Sequence, residues 1–299
     1  MERSTHTRAV YFMILSTFLF SIMNVLVKYL HRLPSHELVL FRSLVMFSIT
    51  AFMLRRAHLN PFIWKPRWIL IGRGVAGSLA LLIYFYSIQH LPLASAVTIG
   101  YLSPIFTIIF ASYLLKESMR FIQWVFFIVS FVGIVLMQGY SPGEEIWIVL
   151  LGILGASFSG LAYNALRASA ALVPTLVVVF FLPLCTIPIV LPFCLEHWIM
   201  PQGYEWLLII AMGAVTQVAQ ILMTKAYQME KAGAIANYAY LGVVFALIFG
   251  FLFFQEHFFL TEIIGMGVVI LGILLNFLYV NRVTNLRRLL VYFRWIPGL

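Results

Sequence analysis

Residues 87–133 and 226–272 carry one pattern written twice, 139 residues apart. Aligned without a gap, Gln89 meets Gln228, Tyr101 meets Tyr240 and Leu102 meets Leu241. Phe106, Ile109 and Phe110 meet Phe245, Ile248 and Phe249, and further on Glu117 meets Glu256 and Gly133 meets Gly272. The match extends upstream at a spacing of 140, where Thr17, Phe18 and Asn24 face Ser157, Phe158 and Asn164, and Phe41 faces Phe181. A chain that repeats itself in this way folds as two similar units.

Both copies are too apolar for water. Of 299 residues, 63% are hydrophobic and only 10% are charged. A soluble domain of this size has too much surface to hide that fraction. Ten apolar runs are visible, at roughly 9–30, 36–54, 68–88, 93–115, 121–138, 146–166, 173–195, 204–226, 233–254 and 260–280. Each approaches the ~20 residues that a helix needs to cross the hydrocarbon core. Barrel strands would be half as long and alternate in polarity. The first run is too long for a signal-peptide core and no small-residue cleavage site follows it, so it reads as a permanent span. The expected fold is therefore an all-α polytopic membrane protein with no soluble catalytic domain.

Five spans per half is an odd number, so the second half crosses the membrane upside down relative to the first. Charge agrees. With the N-terminus inside, fifteen of the nineteen Lys and Arg fall on inner segments, and only Arg32 lies in an outer loop. This positive-inside bias places both termini in the cytoplasm of a cell that keeps the protein in its inner or plasma membrane. Lys116-Glu-Ser-Met-Arg120 in the first copy becomes Gln255-Glu-His-Phe-Phe259 in the second, losing both basic residues as an inverted segment should. Anionic lipid accounts for the net charge of +9 without a nucleic-acid partner. The expected units are 1–140 and 141–282, joined by the Gly- and Pro-rich turn at 139–145, with a basic cytoplasmic tail at 283–299. Cys185 and Cys194 share one span about 13 Å apart, too far for a disulfide.

These features together resemble the EamA family of the drug/metabolite transporter superfamily. The shared traits are ten short spans, two five-span repeats, Pro104 inside the fourth span, and Leu114-Leu-Lys-Glu117 and Phe253-Phe-Gln-Glu256 closing the fourth and ninth. Lys28 and the stretch from Pro34 to Phe41-Arg42 also resemble the first repeat of that family. The resemblance covers residues 9–280. It implies a carrier whose polar helix faces ring a central cavity at mid-membrane. Val243 stands where the first repeat has Pro104, so a hinge at that proline belongs to one half only.

Polar residues inside the runs are candidates for the cavity, because each is costly in lipid without a partner. Asn24 and Asn164, Ser78 and Gln217, and Thr98 and Asn237 fall at matching depths, with Tyr101 and Tyr240 one turn beyond the last pair. Interhelical glue is the ordinary role for any one of them; as a set they fit a wet lining. Lys28 and Arg73 sit near span ends, where snorkelling to headgroups suits them. Arg42 lies about six residues into its span. Glu37, five residues before it, is poorly placed to pair. Arg42 is left with a carbonyl or an anionic substrate group. Glu117 and Glu256 are expected to cap spans five and ten. Gly72, Gly77, Gly155 and Gly160 are expected to permit close helix packing.

The substrate-binding candidates are Asn24, Arg42, Arg73, Tyr101, Asn164, Gln217, Asn237 and Tyr240. The chain contains no Asp. A small neutral, zwitterionic or anionic metabolite fits that balance, moved by exchange with a counter-substrate, down its gradient, or with a coupling ion. A cationic cofactor-like cargo such as S-adenosylmethionine, or export of drugs, is the alternative; Tyr84, Tyr86, Tyr101, Tyr163, Tyr238 and Tyr240 would then form an aromatic cage. No enzyme triad, metal cluster or cofactor motif is present, so neither catalysis nor a cofactor is expected.

Overall fold

The computed structural model describes residues 2–115, 121–137, 145–169, 172–196, 198–229, 238–239 and 241–293. The seam at 139–144 and the Glu117 segment lie outside these described residues. The described elements are helical, with no strand among them. In chain order they are α1 (Glu2–Tyr29), α2 (Ser35–Arg56), α3 (Arg67–His90), α4 (Leu93–Gly100), α5 (Ser103–Leu115) and α6 (Phe121–Met137). The second half supplies α7 (Glu145–Ser169), α8 (Thr175–Glu196), α9 (Glu205–Met229), α10 (Leu241–Phe254) and α11 (Leu260–Phe293).

Prolines set several starts. Pro34, Pro66 and Pro92 each precede the first residue of α2, α3 and α4. Proline is favoured at a helix start because the amide it lacks would have no partner there. Six helices, α1, α2, α3, α7, α8 and α9, are long and apolar enough to span a bilayer. Shorter apolar stretches at Leu93–Thr107, Trp124–Ile134, Leu241–Phe254 and Leu260–Leu275 bring the total to the expected ten. α11 continues as helix through Phe293, well into the basic tail.

The fourth span is interrupted. α4 ends at Gly100 and α5 begins at Ser103, with Tyr101 and Leu102 as the joint. Pro104 explains the break, since it has no N–H to continue the ladder back to Gly100. Tyr101 N still reaches Val97 O at 3.2 Å, and Ile105 N reaches Leu102 O at 2.9 Å, so the two segments are closed separately.

The helices pack as an inverted pair of repeats. α3 lies along α7 and α1 along α9, and the repeat exchanges one pair for the other. α2 packs on α8 and α6 on α11, each on its own mate. The α6–α11 contact shows the symmetry atom by atom. A Cβ on Gly133 would meet Gly265 O at 2.8 Å and Val269 N at 2.6 Å; one on Gly272 would meet Phe126 O at 2.8 Å and Ser130 N at 3.0 Å. Positions 126, 130 and 133 are the repeat mates of 265, 269 and 272. The contact therefore reads the same from both sides, and rising numbers on one helix meet falling numbers on the other. Such a two-fold axis lies across the helices, which is the inverted topology.

Serines and threonines tie the halves together. Ser16 Oγ donates to Ala219 O at 2.9 Å between α1 and α9, and Ser78 Oγ meets Thr186 Oγ1 at 2.7 Å between α3 and α8. Gly77, Gly155 and Gly160 do sit under neighbouring helices: a Cβ on Gly160 would lie 2.7 Å from Phe106 Cβ. Gly72 has nothing within 4 Å and does not serve close packing. Large apolar side chains such as Trp68, Phe52, Leu207 and Phe251 are exposed on the outside of the bundle. Against lipid tails that exposure carries no penalty.

Gly133→Val and Gly272→Val should each lower the thermal midpoint of the detergent-solubilised protein, because overpacking of this kind costs ~1–3 kcal/mol. Gly72→Ala should leave the midpoint essentially unchanged. A midpoint unaffected by Val at 133 would show that α6 and α11 do not meet as described.

Candidate functional site

A cavity of about 230 Å³ lies between the two repeats. α1 contributes Met13, Ser16, Thr17, Phe20, Ser21, Met23 and Asn24, and α3 contributes Arg73, Gly77, Ala80, Leu81 and Tyr84. Arg42 enters from α2. The broken span supplies Gly100, Tyr101, Ser103 and Pro104. The second repeat answers with Ser159, Ala162 and Tyr163 from α7, Leu182 from α8, Gln220, Met223 and Tyr227 from α9, and Ala239 and Gly242. The break in span four thus opens onto the cavity, where freed backbone groups are tolerated.

Four expected site residues stand on this wall: Asn24, Arg42, Arg73 and Tyr101. Asn164 and Gln217 do not. Asn164 Nδ2 donates to Thr107 O at 2.9 Å and Gly160 O at 3.2 Å, joining α7 to α5. Gln217 is buried with neither amide atom partnered, while Gln220, one turn on, faces the cavity instead. Asn237 and Tyr240 lie outside the described residues. Ser16, Ser21 and Tyr227 are lining residues that the sequence did not single out, while Gln220 shares a helical face with Gln217 and lines the cavity in its place. Their depth was visible, but the rotation of α1 and α9 about their own axes was not.

The two arginines dominate the site. Arg42 is 2% exposed and Arg73 5%, so neither snorkels. Nε and Nη1 of both guanidiniums are buried without a hydrogen-bond partner. The ring of Phe85 lies 5.8 Å from Arg42 Cζ and gives that charge partial relief. The two cations repel one another. Among the described wall residues there is no carboxylate. Glu37, the nearest in sequence, turns away: its Oε1 accepts the Ile199 amide at 2.6 Å.

The neutral groups around them are ordered. Asn24 Nδ2 donates to Tyr84 Oη at 3.0 Å, while Asn24 Oδ1 is buried with no donor. Gln220 Nε2 likewise lacks an acceptor. The ring of Tyr101 crosses to the second repeat and rests on Gly242, where a Cβ would lie 3.1 Å from Tyr101 Cζ.

Beyond Asn24, on the face that holds the α1–α2 and α8–α9 connections, ion pairs bridge the two repeats. Lys28 lies one turn further along α1, ~6 Å away. It does not snorkel. It forms an ion pair with Glu256 and donates to Leu91 O at 2.8 Å, with its ammonium 5.5 Å from the Phe254 ring. Both oxygens of Glu256 accept the Leu93 amide at 3.0 Å. Glu256 therefore caps α4 of the opposite repeat rather than its own span ten, whose start is capped by Glu262 accepting Phe259 N at 2.9 Å. A fixed anion at an N-terminus satisfies orphan amides wherever the helix comes from.

A second ion pair on the same face joins Arg32 to Glu205. Arg32 Nε donates to Glu205 Oε1 at 2.7 Å, and the carboxylate also accepts Gln202 N at 2.7 Å. The carboxylate raises the Arg32 pKa above its usual value. These are the two ion pairs among the described residues, and both cross between the repeats on one face.

Comparison with known proteins agrees with this architecture. The model of the EamA-like transporter family matches the chain twice, over residues 7–138 and 146–278. The chain belongs to the EamA-like transporter family. It is 32% identical over 246 residues to the pseudopaline exporter CntI of Pseudomonas aeruginosa, covering 81% of this chain and 86% of that one. It is 25% identical over 264 residues to the S-adenosylmethionine uptake transporter of Rickettsia prowazekii, covering 84% and 86%. A solved crystal structure superposes with a TM-score of 0.64 at 18% identity, over 89% of this chain and 95% of the other, which shows the shared fold. The protein is thus an integral membrane carrier for a small molecule, not an enzyme.

A double-mutant cycle tests the first of these pairs. Lys28→Met and Glu256→Gln, alone and together, should show a coupling in thermal stability of ~0.5–3 kcal/mol, since each single change strands one half-buried charge. Glu256→Ala should be worse than Glu256→Gln, because it also removes the acceptor for Leu93 N. Zero coupling would show that the two side chains do not meet.

Proposed function

We propose that this protein carries a small anionic or zwitterionic metabolite, such as an organic anion or amino acid, across a cell membrane by alternating access between its two repeats. The observation that supports the reading is the pair of unpartnered guanidiniums on the wall of a cavity shared by both halves. Asn24, Arg42, Arg73 and Tyr101 are assigned to substrate from the first repeat. Asn237 and Tyr240, the repeat mates of Thr98 and Tyr101 in the sequence, are assigned to substrate from the second repeat. Asn164 is assigned to holding α7 against α5 beside the site.

The basic residues gathered on the side of the termini support a cytoplasmic N- and C-terminus. The Lys28–Glu256 and Arg32–Glu205 pairs then seal the external face. The wall residues of α1 run from Met13 to Asn24, between that seal and the cytoplasmic side. In an inverted repeat protein the opposite state arises when the two halves exchange conformations, so opening outward requires these pairs to part. The described wall residues include no carboxylate to relay protons, which favours exchange for a counter-substrate or flow down a gradient.

A cationic cargo is the second reading, supported by the S-adenosylmethionine transporter among the relatives and by Tyr84, Tyr101, Tyr163 and Tyr227 on the wall. The two unneutralised arginines weigh against it. Counterflow in proteoliposomes separates the two. Uptake of glutamate or malate should saturate and be accelerated by the same solute on the far side, whereas S-adenosylmethionine should not exchange. Arg42→Ala should abolish that uptake while the protein elutes and melts like the parent. Exchange of S-adenosylmethionine unchanged by Arg42→Ala would favour the second reading. Cysteines placed near the two ends should react with an impermeant reagent from the same side of the membrane.

A further inference from the structure

The wall offers an unusual balance of donors and acceptors. Nε and Nη1 of Arg42, Nε and Nη1 of Arg73, and Nε2 of Gln220 are donors without acceptors. Asn24 Oδ1 is the one cavity-wall acceptor among the buried unpartnered atoms. The donors also carry two positive charges that no described group in the wall neutralises. Neither charge has a basic mate in the second repeat, where Leu182 and Met212 occupy the matching positions. Both cations are therefore particular to one repeat and not a by-product of its duplication.

Charge arithmetic ranks the possible occupants. A cation raises the local charge from two to three. A zwitterion leaves it at two. A monoanion leaves one guanidinium stranded, and a dianion neutralises both. Carboxylates match guanidinium donors two at a time, so each arginine can take one carboxylate in its planar fork. Size narrows the choice further. At about 230 Å³ the cavity falls below the ~300–1,000 Å³ of sites that take drug-sized ligands, which favours a small cargo.

Resting on the carrier reading above, we infer that the substrate is a small dicarboxylate dianion, one carboxylate on Arg42 and the other on Arg73, with a hydroxyl or amine between them donating to Asn24 Oδ1. Gln220 Nε2 supplies a further donor to either carboxylate. The tyrosines and the apolar part of the wall enclose the carbon chain.

The full-length protein in detergent, titrated calorimetrically with L-malate, succinate, L-lactate and glutamine, provides the test. Malate should bind at least tenfold more tightly than lactate, which lacks the second carboxylate. Succinate should fall between them, because it lacks the hydroxyl. In Arg42→Gln and Arg73→Gln the advantage of malate over lactate should disappear. The comparison of ligands on the parent protein stands even if a variant fails to fold. Equal affinity for malate and lactate would overturn the inference. In proteoliposomes, counterflow of glutamine but not of malate would overturn the dianion while leaving the carrier reading intact. Counterflow of none of the four solutes would overturn both.

Discussion

Lipid offers no hydrogen bonds, and that one constraint shapes the whole protein. Backbone groups must be satisfied inside helices, so every described span is helical. Side-chain hydroxyls become directional contacts between helices, as Ser16 with Ala219 O and Ser78 with Thr186 show. The interruption at Tyr101–Leu102 is tolerated because it borders the cavity and not the acyl chains. Among the buried polar groups without partners, Asn24, Arg42, Arg73 and Gln220 stand on the cavity wall.

The two repeats agree in shape and differ in chemistry. Gly133 and Gly272 seat α6 and α11 against each other through equivalent atoms. Tyr84 and its mate Met223 both line the cavity, as do Leu81 and Gln220, and Gly100 and Ala239. The outlines correspond, but hydroxyl stands opposite thioether and alkyl opposite amide. Both buried cations belong to the first repeat. Backbone symmetry gives the two halves similar packing, and side-chain asymmetry sets the chemistry of the cavity between them. A duplicated fold can therefore keep its motion while one half evolves the recognition.

Much of the fold was legible in the sequence, because hydropathy and repeat spacing are local properties. The ten spans, the inversion and the role of Pro104 near a break all followed from runs of residue types. The site was legible in part. Arg42 stood out because no carboxylate shared its depth, and Asn24 and Tyr101 because their mates recurred. Gln217 and Gln220 lie three residues apart on one face, and only the docking of α9 on α1 decides which one meets the cavity. Asn164 looked equivalent to Asn24, yet the carbonyl of Thr107 holds its amide. Arg73 and Lys28 sit near span ends, where headgroups are in reach, but one is enclosed and the other ion-paired. Glu256 was read as a cap for the helix that follows it. It caps a helix more than 160 residues away, a contact set by tertiary packing alone.

That placement of Glu256 has a mechanical consequence. One carboxylate holds the ammonium of α1 and the first amide of α4 while belonging to the connection after α10. Three segments meet at a single group, so loosening any of them weakens its grip on the other two. Separation on that side would then have to break all three contacts together, as a bistable element does.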